Sequence, residues 1–205
     1  PNCSTMFLAM ALAPLHRQFT VESVQATTMQ AISGAGYPGV ASMDILGNVI
    51  PYIKSEEEKM EAETGKILGD WVEGSVTPAP FSVSAQCNRV PVYDGHTETV
   101  SVKLAESVTP EHAAQALRAF RGMPQERQLP SAPAQPLLVL DGADRPQPIL
   151  DLWAGDGMAA VVGRIRPCPV TTIRMVVMGH NTVRGAAGAA ILNAEALHEL
   201  GYLSA

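Results

Sequence analysis

The sequence predicts an α+β fold, in which a mostly antiparallel or mixed sheet is covered by helices on one face. About six strand-like and four helix-like segments can be counted along the chain. Most links between strands are short and hairpin-like, and the helices do not alternate strictly with the strands, which argues against a regular βαβ fold. The chain has 205 residues, of which 46% are hydrophobic and 17% are charged. This is enough for one large domain, or a cramped pair, with a sizeable core.

The chain opens with a helix and a strand. The apolar run after Asn2 predicts a helix to about His16, with Asn2 or Ser4 as the N-cap. Pro14 should break or kink the last turn of this helix. Residues 21–32 are rich in Val and Thr, which predicts a strand.

The loop at 33–39 contains the spacing GxGxxG. We do not interpret it as a dinucleotide-binding fingerprint, because Pro38 stands where the helix should begin and the expected ribose-binding acid is missing. A tight loop that approaches a ligand closely is the better interpretation.

A helix is then predicted over 55–68, with Ser55 as N-cap and Glu58 completing a capping box.

The second half of the chain is predicted to be rich in strands. Residues 80–93 and 96–104 predict two strands joined as a hairpin at Asp94-Gly95. A helix over 109–121 follows, with Pro in its first turn. The remaining segments are a surface loop at 122–136, strands at 137–140, 158–165 and 171–178, a turn at 179–181, and a closely packed Ala- and Gly-rich helix at 182–200.

The composition excludes several classes of function. The net charge of −6 and the low aromatic content argue against nucleic acid as a partner. The cysteines Cys3, Cys87 and Cys168 form no CxxC pair and the His residues are scattered, so we expect no metal site, no disulfide framework and a reduced, cytoplasmic setting. The longest apolar run, 7–15, is too short to span a membrane. Because the chain begins with Pro1, we expect it to be a piece of something longer.

Three polar side chains stand out as candidates for catalysis. Cys3 opens the first helix, where backbone N–H groups and the helix dipole favour a nucleophilic thiolate; the alternative is a small buried Cys near a terminus. His96 begins a strand beside a turn and could serve as acid or base. Arg89 could bind a carboxylate through two parallel hydrogen bonds. The spacing alone leaves open whether these residues share a pocket.

A dense set of motifs resembles one known family. They are PNCST (1–5), MQAISGAGYPGV (29–40), SMDILGNVIPYI (42–53), EEEKMEAETGKILG (56–69), CNRVPVYDGHTE (87–98), LPSAPAQP (129–136), DRPQP (144–148), VVGRIR (161–166) and GHNTVRGAAGAAILNAE (179–195). Together they resemble the C-terminal catalytic and dimerisation domain of aspartate-β-semialdehyde dehydrogenases of the archaeal and fungal type. The resemblance covers nearly the whole chain. It implies one catalytic and dimerisation domain over 1–205, with a fold like the C-terminal domain of glyceraldehyde-3-phosphate dehydrogenase.

The resemblance implies a role for each matching residue at the reacting centre. Cys3 matches the nucleophile that attacks an acyl phosphate to give a thioester. Gln30 matches the glutamine that positions the substrate, Arg89 the arginine that binds the substrate carboxylate, and His96 the general acid/base.

The resemblance also implies contacts around that centre. Glu56 should meet the substrate amine and Lys59 the phosphate. Asn181 should lie near the nicotinamide carboxamide, and Ser33 and Gly34 beside the cofactor. The stretch 151–154 departs from the family, where a more polar, arginine-containing segment is expected.

The activity implied is the NADP-dependent reduction of L-aspartyl-4-phosphate to L-aspartate-4-semialdehyde, with release of inorganic phosphate, in lysine, threonine and methionine biosynthesis. A homodimer or dimer of dimers is expected, with the sheet and the flat Ala- and Gly-rich elements forming an isologous interface. Two alternatives stay open: a malonyl-CoA reductase, and a dimerisation module without catalysis.

The nucleotide-binding domain of the family, which should bind most of NADP, is absent from this sequence. In a full-length enzyme we expect the final helix, 182–202, to pack on that domain. We expect the piece alone to turn over negligibly.

Overall fold

The computed structural model describes residues 1–203. Seven α-helices and eight strands are assigned within them. In chain order they are α1 (Cys3–Phe19), β1 (Val21–Gln30), α2 (Ser42–Ile45), α3 (Glu56–Ile67), β2 (Asp70–Val72), β3 (Ser75–Thr77), β4 (Ser82–Arg89), β5 (His96–Leu104), α4 (Pro110–Ala119), α5 (Met123–Glu126), β6 (Leu137–Leu140), α6 (Pro148–Asp151), β7 (Ala160–Pro167), β8 (Ile173–Gly179) and α7 (Gly188–Glu199).

Six strands form one mixed sheet in the order β4-β1-β5-β8-β7-β6. The β4–β1 and β6–β7 pairs are parallel, and the three pairs between them are antiparallel. Helices α1 and α4 pack on one face of this sheet, while α3 lies against β4 and α1. The predicted α+β class, with a mixed sheet and helices on one face, is therefore confirmed.

The predicted hairpin at Asp94-Gly95 is wrong. Strands β4 and β5 are consecutive in the chain but do not pair, because β1 lies between them. After β4 ends at Arg89, residues 90–93 run beside the chain that follows β1: Val90 N–H donates to Gln30, and Val92 accepts from Ile32. The link is thus a crossing over the end of β1, which makes β4 and β1 parallel.

Helix α1 supplies the centre of the core. Its side chains Phe7, Leu8 and Leu12 are fully buried against the sheet. The prediction that Pro14 breaks the helix is wrong, since α1 continues through it to Phe19. Pro14 removes one intrahelical hydrogen bond, but the buried apolar surface on both sides of it outweighs that loss.

Helix α3 covers the free edge of β4. Its Glu57 and Glu61 carboxylates accept hydrogen bonds from the N–H groups of Cys87 (2.9 Å) and Ala85 (3.0 Å). The predicted capping box is wrong, because Ser55 has a left-handed backbone (φ 59°) and its side chain makes no capping bond. Glu57 and Glu61 are therefore directed at the edge of the sheet rather than at their own helix terminus.

Other differences are local. The strand predicted over 21–32 ends at Gln30, and a 3₁₀ turn, Ile32–Ala35, follows it. The final helix begins as a π-helix, Val183–Ala187, before α7. The small β2–β3 hairpin was not predicted, and α5 lies inside the segment predicted as loop.

The sheet face opposite α1 is open. On β1 and β5 it presents polar side chains that are exposed or half-buried, among them Gln25, Thr27, Thr97 and Thr99. Within residues 1–203, no helix combines the length and the apolar character needed to cross a membrane.

Candidate active site

Three strand ends bring the main candidates together at one end of the sheet. Gln30 ends β1, Arg89 ends the parallel neighbour β4, and His96 begins the antiparallel neighbour β5. Gln30 and Arg89 are direct partners in the register of the β1–β4 pair. Topology therefore gathers three residues that lie far apart in sequence.

The backbone of Ala31 holds two of these side chains. Its N–H donates to Nδ1 of His96 at 3.1 Å, and its carbonyl accepts from Nη1 of Arg89 at 2.8 Å. Gly34 lies against the same two side chains. A Cβ at this position would stand 2.8 Å from both Arg89 Nη1 and His96 Cε1, so glycine is required for the close approach.

His96 is a neutral imidazole with a defined tautomer. It is fully buried, and burial together with the nearby Arg89 charge lowers the pKa of His96 to about 3. Because Nδ1 accepts the Ala31 N–H, the ring proton must be on Nε2. Nε2 has no hydrogen-bond partner among the described residues. His96 thus presents an N–H donor for an incoming oxygen.

Arg89 combines burial with an intact charge. Burial lowers the pKa of Arg89 from its usual value, while Glu56 and Cys3 act against that shift. A guanidinium stays protonated under such conditions. One of its nitrogen atoms is committed to Ala31, which leaves other N–H groups for an anionic ligand.

Cys3 begins α1 and is half-buried. The predicted N-cap Asn2 is observed: its Oδ1 accepts from the N–H groups of Ser4 (2.8 Å) and Thr5 (3.1 Å). The predicted thiolate is not supported. Burial and, after it, the charge of Glu56 raise the pKa of Cys3 to about 11, which outweighs the lowering effect of the backbone N–H groups at the helix start. Cys3 is therefore a thiol in this state.

Glu56 links the start of α1 to the end of β1. Its carboxylate accepts from Asn2 Nδ2 at 2.5 Å and from Gln30 Nε2 at 2.8 Å. Gln30 also donates to Thr28 Oγ1 at 3.3 Å. Lys59 lies one turn further along α3, is exposed, and makes no side-chain hydrogen bond or ion pair within residues 1–203.

Asn181 joins two loops beside His96. Its Oδ1 accepts from the Gly95 N–H at 2.8 Å, and its Nδ2 donates to Ser33 Oγ at 2.8 Å. One amide N–H of Asn181 is left for a ligand. The three residues predicted to lie beside the cofactor, Ser33, Gly34 and Asn181, therefore form one group at the mouth of the site.

Some site residues were not predicted. Gly185 packs on Cys3, since a Cβ there would stand 2.8 Å from the Cβ of Cys3. Glu98 is fully buried two residues after His96 on the same face of β5. The alternation of β5 could have signalled this carboxyl group, because positions 98, 100, 102 and 104 all face the core.

The segment that departs from the family pattern is tied to the loop before it. Asp151 is buried and paired with Arg145, and it also accepts from the Gln147 N–H at 2.7 Å. Trp153 packs edge-on against His180, with 4.6 Å between the ring centroids. Across residues 1–203, no three His, Cys, Asp or Glu side chains are grouped so that they could hold a metal ion.

Comparison with known proteins identifies close relatives. The family model described as "Semialdehyde dehydrogenase, dimerisation domain" matches residues 12–184. An aspartate-semialdehyde dehydrogenase from Methanothermobacter thermautotrophicus is 50% identical over 202 residues, which is 98% of this chain and 58% of the relative. A malonyl CoA reductase (NADP) from Metallosphaera sedula is 38% identical over 99% of this chain and 58% of its own length.

The fold has a close match among solved structures. The crystal structure of aspartate semialdehyde dehydrogenase with NADP from Candida albicans superimposes with a TM-score of 0.91 at 45% identity. The match covers 98% of this chain and 57% of that one. The chain thus spans a little under three fifths of the length of these relatives.

Proposed function

The chain belongs to the semialdehyde dehydrogenase family through its dimerisation domain, and from this membership we propose that it is the catalytic part of an NADP-dependent aspartate-semialdehyde dehydrogenase. One observation carries the proposal. A cysteine at a helix start, a neutral histidine and a buried arginine lie at one end of the sheet, and the histidine Nε2–H has no partner among residues 1–203. That set suits the reduction of an acyl phosphate.

The proposed first step is acylation of Cys3. Its sulfur forms a bond to the β-carbonyl carbon of L-aspartyl-4-phosphate, and the bond from that carbon to the phosphate oxygen breaks. The thiol proton leaves with the phosphate, so the products are a Cys3 thioester and hydrogen phosphate. His96 donates Nε2–H to the oxyanion that develops on the carbonyl oxygen, because the hydrogen bond from Ala31 keeps Nδ1 unprotonated.

The substrate is held by charge and by amide groups. In this proposal Arg89 binds the α-carboxylate, for which its buried guanidinium is suited. Glu56 accepts from the substrate amine, and Gln30, fixed by Glu56 and Thr28, orients the acyl group. Lys59 is exposed and free to reach the phosphate.

The residues present fit only one end of the cofactor. The Ser33 hydroxyl and the remaining Asn181 N–H are suitable partners for a carboxamide, and Gly34 leaves space beside them. The nicotinamide, when bound, supplies the hydride that converts the thioester to the aldehyde. The part of the relatives that this chain does not span is proposed to bind the rest of NADP. The free cysteines suit a reducing cytoplasm.

A malonyl-CoA reductase is the second candidate, favoured by the 38% identity to the Metallosphaera sedula enzyme. The same Cys3, His96 and Arg89 would serve, with a CoA thioester in place of the acyl phosphate. Glu56 favours an amino acid substrate, because a carboxylate is a suitable partner for an ammonium group and a poor one for the malonyl chain.

We propose that two copies associate through the open sheet face. The family is named for dimerisation, and this face presents half-buried Thr27 and Thr97 and exposed Thr99, which leave a flat surface. A twofold interface or a dimer of dimers follows the usual symmetry of such enzymes. Thr99→Arg should shift the sedimenting mass from two chains to one, whereas Lys103→Glu at the end of the face should shift it less.

Helix α7 is proposed to pack on the nucleotide-binding part of a full-length enzyme. Its Ile191 and Leu197, and Leu200 at its end, are exposed apolar side chains. Amide hydrogen exchange in α7 should be slower when this sequence is joined to that part than in this chain alone. Unchanged exchange would contradict the packing.

The activity is tested by intact mass after exposure to β-aspartyl phosphate and, separately, to malonyl-CoA. Acylation needs no hydride, so the test can be made on this chain. An aspartyl adduct on the Cys3 peptide supports the dehydrogenase, and a malonyl adduct alone supports the second candidate.

Two variants control this test. Cys3→Ser should abolish the adduct, and Cys168→Ser, which removes a thiol outside the site, should keep it. An adduct that survives Cys3→Ser excludes both enzyme assignments. If no adduct forms with either reagent, the chain acts as an interaction module, or the pocket needs the nucleotide-binding part; repeating the test with that part joined separates the two.

A further inference from the structure

Glu98 is a buried carboxyl group for which the proposed reaction has no use. It lies on β5 between His96 and Val100, on the face covered by α1, and it is 0% exposed. Its register partners are Thr28 on β1 and Val177 on β8. Neither carboxyl oxygen has a hydrogen-bond partner of regular geometry among the described residues.

The nearest polar group is a hydroxyl on the first turn of α1. Ser4 follows Cys3 directly, is fully buried, and its Oγ also lacks a regular partner within residues 1–203. Ser4 is close enough to Glu98 for its hydroxyl to influence that carboxyl group, and α1 packs directly on β5. Two buried groups that need partners thus face each other beneath the candidate nucleophile, and leaving either unpaired would be costly.

Burial makes a negative charge on Glu98 unfavourable, and such a charge would act on the thiols around it. Cys3 on α1 and Cys87 on β4 would each be affected by it, and neutral His96 lies on the same strand face. Burial raises the pKa of Glu98 well above its usual value. A neutral carboxyl group can donate to a hydroxyl or accept from it, so it can pair with Ser4 without placing a charge in the core.

We propose that Glu98 is a positioning residue for Cys3: as a neutral acid it pairs with the Ser4 hydroxyl, fixes the first turn of α1, and keeps negative charge away from the thiol. The inference rests on the proposed role of Cys3 and adds a residue to it. A leucine at position 98 would leave Ser4 unpaired, and a permanent carboxylate would make the thiol harder to ionise. The neutral acid avoids both.

The test measures the reactivity of Cys3 directly. The purified chain is pulsed with iodoacetamide between pH 6 and 10, and the alkylated peptides of Cys3 and Cys168 are quantified by mass spectrometry. Cys168 is an internal reference, since it lies on the β7–β8 turn and the hydrogen bond from Thr171 lowers its pKa to about 7. The variants are Glu98→Gln, Glu98→Leu and Ser4→Ala, with circular dichroism to check folding.

The Cys3 profile of Glu98→Gln should stay within about twofold of the parent, because the amide is also neutral and can donate. Ser4→Ala and Glu98→Leu should each change the alkylation rate of Cys3 by about fivefold, because each removes one buried hydrogen bond. The alkylation rate of Cys168 should stay unchanged. The double variant should change it no further than either single variant.

Two results would overturn the proposal. A roughly tenfold faster Cys3 reaction in Glu98→Gln would mean that Glu98 carries a charge in the native state. Cys3 rates within about twofold of the parent in Ser4→Ala would mean that the pair does not position the thiol. If Glu98→Leu fails to fold, the other two variants still decide. Alkylation does not depend on acylation, so this result is separate from the test of the activity.

Discussion

Replacing Glu56 with alanine should cost more stability than its place on a helix surface suggests. The carboxylate accepts from Asn2 Nδ2 and from Gln30 Nε2, so one side chain ties the start of α1 to the end of β1. Glu58 is the matched control. It stands in the same first turn of α3, is exposed, and has no such contact within residues 1–203.

The magnitude can be worked out contact by contact. Gln30 is 1% exposed and would keep only its 3.3 Å bond to Thr28, so its Nε2 loses about 1–2 kcal/mol. Asn2 is half-buried and can turn to water, which limits its loss to about 0.5–1 kcal/mol. The loss of an acid near the helix start costs about 0.3–1 kcal/mol in both variants. The last loss is common to both, so the difference between Glu56→Ala and Glu58→Ala should be about 1.5–3 kcal/mol.

Urea unfolding followed by circular dichroism measures this difference. A second readout is the alkylation rate of Cys3, which should rise in Glu56→Ala because the Glu56 charge helps to raise the pKa of that thiol. If the two variants unfold within about 0.5 kcal/mol of each other, the bridge contributes nothing and the reasoning fails.

Three further predictions concern the same end of the sheet. Gly34→Ala should destabilise the fold by about 1–3 kcal/mol in thermal unfolding, since its Cβ would crowd Arg89 and His96; Gly122→Ala, with only ordinary contacts, is the control, and equal losses would contradict the prediction. His96→Asn should flatten the pH dependence of the free energy of unfolding. The pKa of His96 in the folded parent is about 3, so the parent loses up to about 1.4 kcal/mol of stability per pH unit as the pH falls below 6.5. A variant that keeps the parent's slope would refute this. Glu57→Ala should speed hydrogen exchange at the β4 amide whose N–H donates to the Glu57 carboxylate. Unchanged exchange would show that this hydrogen bond does not protect the edge of the sheet.

Much of the fold could be predicted because hydrophobic periodicity and turn residues are local signals. The core strands and α1, α3 and α4 were found from such signals. The order of the strands could not be predicted in this way. The Asp94-Gly95 turn has the same local chemistry whether its flanking strands pair with each other or lie on either side of β1. At Pro14 the local signal was present but did not decide the structure. Its preference for ending a helix was outweighed by the apolar surface that α1 buries.

The candidate residues of the site could be named from the sequence, but their chemical state could not. The family motifs name Cys3, Arg89 and His96 without showing what surrounds them. The tautomer of His96 is set by the Ala31 N–H, and the thiol of Cys3 is kept protonated by burial and by Glu56. Both effects arise from residues brought near by folding. Motif reasoning also led to Glu58 as a capping residue, whereas Glu56 and Glu57 have their contacts with other elements.

The contacts that hold the site have a consequence for how the chain folds. Ala31 and His96 are 65 positions apart, Gly95 and Asn181 are 86 apart, and Ser33 and Asn181 are 148 apart. Closing loops of this length delays the contacts that depend on them, so the site should be assembled among the last steps of folding. Protection of the Cys3 thiol from alkylation during refolding should therefore report when the native structure is complete. Helical content should rise earlier.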